Sequence, residues 1–106
     1  MTAYMIGDVC EIFDLETFRS YNRAVPDTIL QYGGRFVVRG GETEVVEGDW
    51  QPGRVVVLAF EDMAALRRWY NSPEYGAVRP RRQSSAKSNI VFVEGARDAM
   101  GTGGVA

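Results

Sequence analysis

The run RVVVLAF, Arg54 to Phe60, is apolar on both sides of a β-strand, and no other feature constrains the chain as strongly. Side chains alternate across a strand, so Val55, Val57 and Ala59 point to one face while Val56, Leu58 and Phe60 point to the other. The run NIVFVE, Asn89 to Glu94, is apolar in the same two-sided way. An antiparallel sheet with one face in water carries polar residues on that face, and these strands do not. With 106 residues and 45% hydrophobic content, the chain has room for one core and no second domain. Its own helices can cover one face of the sheet. The other face must meet a further apolar surface, and a second copy of the chain, sheet against sheet in a two-fold homodimer, is the economical partner.

The remaining pattern supplies an α+β order. Ala3 to Val9 reads as a first strand. The run from Asp14 to Tyr32 reads as a helix on the spacing of Leu15, Phe18, Val25 and Ile29, with Asp14 as N-cap and Gly33 as its stop. Pro26 inside it predicts a kink or restart near Val25, with Asp27 bonding the new first turn. Gly34 to Gly40 is a second strand, in which Phe36 and Val38 face one way and Arg35, Val37 and Arg39 the other. Thr43 to Glu47 is expected to return as a short antiparallel strand before the loop GDWQPG. Glu61 and Asp62 open a helix over MAALRRWY that Asn71 ends, and Ser72 with Pro73 and Glu74 opens another. Pro80 predicts that this last piece is short or kinked before Arg81. The order is βαββαβ, with a domain over 1–96 and a flexible glycine-rich tail over 97–106.

Several function classes are excluded by composition. There is no histidine, which removes His-ligated haem, most zinc and iron sites, and every Ser-His or Cys-His mechanism. Cys10 is the single cysteine, read as a small, partly buried strand-end residue. It has no partner for a disulfide and no histidine to activate it. No cofactor is expected. The N-terminus lacks a basic leader, and no run approaches the ~20 apolar residues of a membrane helix, so a reducing, cytoplasmic setting is expected. A net charge of −2 argues against a nucleic-acid binder. RVVVLAF also offers aliphatic residues where an RNA-binding sheet of this topology presents aromatic rings. Charge is nonetheless segregated. Glu42, Glu44, Glu47, Asp49, Glu61 and Asp62 face only Arg54 across one stretch, while Arg67, Arg68, Arg79, Arg81, Arg82 and Lys87 face only Glu74 in another. Such faces are either solvated or meet across a subunit contact.

Candidate binding groups follow from residue type. Arg35 and Arg39, on one strand face, could hold a carboxylate or phosphate, or pair with Glu44, Glu47 or a partner's acid. Tyr75 and Arg82 share a helical face and could frame an anion or carbonyl oxygen, or serve as a cap and an ion pair. Trp69 and Tyr70 read as core packing, one ring on the sheet and the other at a cleft edge. Trp50, in a turn beside Asp49, suggests a subunit contact or a lid. Asp8 and Glu47 are the carboxylates placed to act as a base. Ser72 before Pro73 is a helix cap.

The runs YGGRFVVRGG, VEGDWQPGRVVVLAF, WYNSPEYGAVRPRR and VFVEG, in that order and covering Ala3 to about Gly95, resemble domain-of-unknown-function family 1330 of the dimeric α+β barrel superfamily. The resemblance implies a ferredoxin-like subunit, a sheet-to-sheet dimer forming a dimeric α+β barrel, and a cleft between sheet and helices in each subunit. It implies no reaction. The positions matching the family pattern are Tyr21, then Gly33, Gly34 and Arg35, then Glu47 and Gly48, then Trp69, Tyr70, Ser72, Tyr75 and Arg82. Pro80 departs from that pattern, which continues as helix there. Resemblance and residue chemistry together predict a cleft for a small anionic or aromatic metabolite, with Tyr21, Arg35, Arg39, Glu47, Trp69, Tyr75 and Arg82 as candidate ligands. The protein is then a binding module or a cofactor-independent enzyme. The alternative is a non-catalytic dimeric interaction or ligand-sensing module.

Overall fold

The computed structural model describes residues 1–96, so the tail expected to be flexible lies outside the described residues. The elements are β1 (Ala3–Ile12), α1 (Leu15–Gln31), β2 (Arg35–Arg39), β3 (Arg54–Phe60), α2 (Met63–Tyr70), α3 (Pro73–Ser85) and β4 (Ala86–Glu94). The strands form one sheet in the order β2-β3-β1-β4, with every pairing antiparallel. This is the α+β, ferredoxin-like βαββαβ arrangement, with the second helical stretch divided at Asn71.

Local chemistry sets the helix ends. Asp14 caps α1, its carboxylate accepting from the Thr17 amide at 3.1 Å and the Thr17 hydroxyl at 2.7 Å. At the other end Gly33 takes a φ of 80°. The Gly33 amide donates to Leu30 O at 3.0 Å and the Gly34 amide to Ile29 O at 2.9 Å, the paired bonds of a Schellman stop. Asp62 caps α2 through the Ala65 amide at 2.8 Å, and Ser72 caps α3 through the Tyr75 amide at 3.1 Å.

The two prolines do not break their helices. α1 runs unbroken through Pro26, with no restart at Asp27. A proline lacks the N–H that would bond the carbonyl four residues back, here that of Asn22. Arg39 supplies the missing donor from β2, its Nη2 reaching Asn22 O at 3.0 Å while its guanidinium lies 4.3 Å over the Phe36 ring. α3 likewise continues through Pro80 to Ser85, so Arg82 is helical. Pro80 is on the exposed side of α3, where water can satisfy the carbonyl that it leaves unpaired.

Thr43 to Glu47 forms no strand. β2 pairs directly with β3, and residues 41–53 form one long exposed loop between them. The sequence offers no packing surface that would hold a strand there, because Val45 and Val46 are 50% and 81% exposed. β4 begins at Ala86, earlier than its apolar core at Asn89 suggests, since Ala86 and Lys87 extend the pairing to Ile12 and Glu11 of β1.

Register divides the sheet into two faces. Ala3, Met5 and Val9 of β1 and Leu58 and Phe60 of β3 join the core beneath the helices, with Phe36, Ile90 and Phe92 packed against it. Tyr4, Ile6, Asp8, Val55, Val57, Val91 and Val93 lie on the opposite, open face. A bulge in β2 changes one expected placement. Phe36 pairs with Leu58 but Val38 pairs with Val57, leaving Val37 as an extra residue. One extra residue reverses the alternation beyond it. Arg35, opposite Ala59, is therefore on the open face, while Arg39, opposite Val56, is on the helix face. The two arginines are not neighbours.

The contact between the end of α1 and β3 leaves no room at Gly34, where a Cβ would stand 2.5 Å from the Phe60 ring and 2.9 Å from Ile29 Cγ2. Gly34→Ala is expected to lose ~1–3 kcal/mol, read as a lower urea midpoint. Gly41→Ala, with no neighbour within 4 Å, is expected to change stability by less than about 0.5 kcal/mol. Equal midpoints for the two variants would refute the close packing at Gly34.

Candidate functional site

The helix side of the sheet carries a cluster of aromatic rings and hydroxyls around one buried arginine. α3 presents Tyr75, Val78, Arg82 and Ser85 inward, a stripe at helical spacing. α1 presents Phe18, Tyr21, Val25, Thr28 and Ile29 against it. The two stripes meet at Tyr21 and Tyr75, whose hydroxyl oxygens are 2.8 Å apart in a buried hydrogen bond. Trp69 packs behind them with its ring centre 4.1 Å from that of Tyr75 and 5.5 Å from that of Phe60. Its Nε1 donates to Thr28 Oγ1 at 3.0 Å. Tyr70 closes the cluster, edge-on to Phe92 and beneath the Arg79 guanidinium at 4.9 Å.

Arg82 is 7% exposed, and its Nε is buried without an acceptor. Its guanidinium carbon lies 6.0 Å from the Tyr21 ring centre. Burial works against the charge, but the facing oxygens of Tyr75 and Tyr21 more than offset it, so the arginine stays ionised with its pKa above the usual value. Among the described residues no carboxylate is one of the groups that act on it. Burial, and then the neighbouring Tyr75, hold the Tyr21 phenol far above its ordinary range. A second orphaned polar atom, Ser88 Oγ, lies just across the α3–β4 junction, on the helix-facing register of β4 opposite Val9. Buried polar groups are seldom left unpaired, and a buried cation without a counter-ion is costlier still. The arrangement can therefore accept an anion or a carbonyl oxygen, with Arg82 providing charge and the tyrosine pair a hydroxyl donor.

The candidates read from sequence divide accordingly. Tyr21, Trp69, Tyr75 and Arg82 come together. Arg39 shares their side of the sheet but is engaged with Asn22 O and Phe36. Arg35 is exposed on the open face, and Glu47 is exposed on the 41–53 loop. Thr28 and Ser88 were not singled out by sequence. A small hydroxyl residue carries no motif, and only the register of β4 places Ser88 beside the helices.

The open face has a separate polar anchor. Asp8, 5% exposed, accepts from Trp50 Nε1 at 2.8 Å and from the Gly53 amide at 2.8 Å, tying the 41–53 loop to the sheet. A cavity of about 210 Å³ opens beside it, lined by Ile6, Asp8, Trp50, Asn89, Ile90 and Val91. Trp50 stays 59% exposed above it. Cys10 is exposed, not partly buried as expected, because β1 shifts register against β4 between Val9 and Glu11. Among the described residues no group of three or more Cys, Asp and Glu is placed to hold a metal ion. No described helix is long and apolar enough to cross a membrane.

Comparison with known proteins agrees with this architecture. The family pattern described as Domain of unknown function (DUF1330) matches residues 2–96. A protein of unknown function from Rhodopseudomonas palustris superposes with a TM-score of 0.74 at 17% identity, covering 92% of this chain and 84% of that one. A dimeric ferredoxin-like protein of unknown function from Jannaschia sp. CCS1 gives a TM-score of 0.67 at 13% identity, covering 90% of this chain and 100% of that one. SnoaB, a cofactor-independent oxygenase from Streptomyces nogalater, gives 0.65 at 15% identity, covering 92% of this chain and 96% of that one. At these identities the likeness is one of fold. No curated protein matches the chain in sequence.

The spacing at which Tyr21 meets Tyr75 is held from the far end of the helices. Glu74, in the first turn of α3, accepts from Tyr32 Oη at 2.7 Å and Gln31 Nε2 at 3.1 Å, both just past or at the end of α1. The Tyr32 bond, with the Glu74 backbone and Gln31 bonds behind it, holds the Glu74 carboxyl below its usual range. The same bond holds the Tyr32 phenol above its own. A lowered carboxyl stabilises above its unfolded pKa of ~4.3, and that gain is lost as pH falls through the folded value. A raised phenol stabilises below ~10 and loses its gain as pH rises through the folded value. Tyr32→Phe is therefore expected to lower the urea midpoint at neutral pH and to flatten its decline on both the acid and the alkaline side. Identical pH slopes in the parent and the variant would show that the pair contributes nothing.

Proposed function

The chain belongs to the DUF1330 family, and from that premise we propose that it is a homodimer binding a small anionic, aromatic metabolite between helices and sheet in each subunit. The observation that carries this reading is Arg82, more than nine-tenths buried, with an orphaned Nε and no carboxylate acting on it among the described residues. The rings of Tyr21 and Tyr75 beside it, with Trp69 stacked on Tyr75, favour a flat, unsaturated ligand body over an aliphatic one. The shared fold with a cofactor-independent oxygenase supports an enzymatic form of the reading, in which the bound anion reacts without a cofactor; binding without turnover is its other form.

Benzoate is a suitable probe, being both anionic and aromatic. Arg82→Gln is expected to weaken benzoate binding about 10- to 100-fold in a calorimetric titration, the range set by a hydrogen bond to a charged group. Arg35→Ala, on the opposite face, is expected to leave it unchanged. Unaltered affinity in a folded Arg82→Gln variant would remove the site.

The dimer rests on the open face. Val38, Val91 and Val93 are 38%, 54% and 43% exposed there, and the neighbouring loop adds Val45 at 50% and Val46 at 81%. A contiguous apolar face of this kind on a small chain calls for a partner. A ferredoxin-like relative described as dimeric supports a second copy in that role. Sedimentation is expected to show a dimer, shifted toward monomer by Val91→Lys. A parent chain that sediments as a monomer at micromolar concentration would overturn this part of the reading.

A further inference from the structure

We infer that the Tyr21, Tyr75 and Arg82 site receives its ligand already ionised, as a carboxylate, enolate or phenolate, and that no group among the described residues takes a proton from it. The inference rests on the binding site proposed above and narrows the class of molecule that it accepts.

The argument is a census of acceptors. Arg82 carries only donors. Tyr21 and Tyr75 share one hydrogen bond, so one hydroxyl proton is committed between them and one is left to donate outward. Thr28 Oγ1 is engaged with Trp69 Nε1 and with Val25 O, and Ser85 Oγ with the carbonyls of α3. A further cation, Arg79, lies 5.8 Å from the Tyr75 ring centre. On the sheet beneath, the helix-facing register carries Arg39 of β2 and Arg54 of β3, both cations, and one acid, Glu94, which is exposed opposite Ala3 at the far end of β4 from the α3 junction.

Among the described residues Asp8 is the one buried carboxylate, and it is on the other side of the sheet with both oxygens bonded to the 41–53 loop. Glu74 is turned outward to Tyr32 and Gln31. The chain has no histidine. The Tyr21 phenol is held protonated by burial and by Tyr75, which disqualifies it as a base. The site is thus a cluster of donors around a fixed positive charge. It stabilises negative charge that is already present and offers nowhere to put a proton.

A site holding a base takes up a proton when an anion binds, because the anion raises the pKa of the base; a site without one does not. Benzoate binding to the full chain is to be measured by calorimetry in phosphate and in Tris, whose ionisation heats differ. Equal heats, meaning no proton exchanged, are expected. Affinity is expected to stay flat between about pH 6 and about pH 8, because the described residues of the site include neither a histidine nor a carboxylate. Benzamide, neutral and of the same shape, is expected to bind at least about tenfold more weakly. Uptake approaching one proton per site, or benzamide binding as tightly as benzoate, would overturn the inference while leaving the binding site standing. Absence of benzoate binding would remove the site itself, and the inference with it.

Discussion

Trp69 is the point at which the layers of this domain are locked to one another. It is fully buried, lies against Phe60 of β3 on one side and Tyr75 of α3 on the other, and donates its indole N–H to Thr28 of α1. One side chain thereby fixes the distance from sheet to helix and the separation of the two long helices. A buried indole must find an acceptor, and Thr28 is free to serve because its own hydroxyl hydrogen is turned back to Val25 O. The Tyr21 and Tyr75 contact depends on this arrangement. The two hydroxyls meet at 2.8 Å only because α1 and α3 are held at that spacing, by Trp69 in the middle and by Glu74 with Tyr32 at the end.

The sheet also separates charge. Its helix face lies beneath the buried Arg82 of α3 and carries no buried acid among the described residues, while its open face carries the buried Asp8. A single layer of β-structure thus keeps the one buried carboxylate among the described residues away from the one buried guanidinium. Had they been on the same face, each would have satisfied the other, and Arg82 would be a structural ion pair. Separation leaves Asp8 to anchor the 41–53 loop and leaves Arg82 without a counter-ion among the described residues.

Much of the fold was readable in the residues because it rests on local chemistry. Asp14, Asp62 and Ser72 cap helices for reasons contained in the next three residues, and Gly33 stops α1 through a positive φ that glycine adopts freely. The restart expected at Pro26 and the early end expected at Pro80 do not occur, for the same reason. Locally, Pro26 is a break; in the folded chain Arg39, distant in sequence, replaces the bond that Pro26 removes. The Thr43 to Glu47 run has the composition of a strand but no neighbouring strand to pair with, and pairing is a property of the whole sheet. Tyr75 and Arg82 could be placed together because both are on α3, whereas Tyr21 met them only through the packing of α1 on α3.

By itself the sequence determined the order of elements, the two-sided apolar character of β3 and β4, and the absence of any histidine. These are sums over residues or neighbours in the chain. The tertiary structure alone decided which side chains share a space. The bulge at Val37 shows why: side chains alternate along a strand with a period of two, so one extra residue sends Arg39 to the helix face and leaves Arg35 on the other. No composition or spacing along the chain records that parity, because the partner strand sets it.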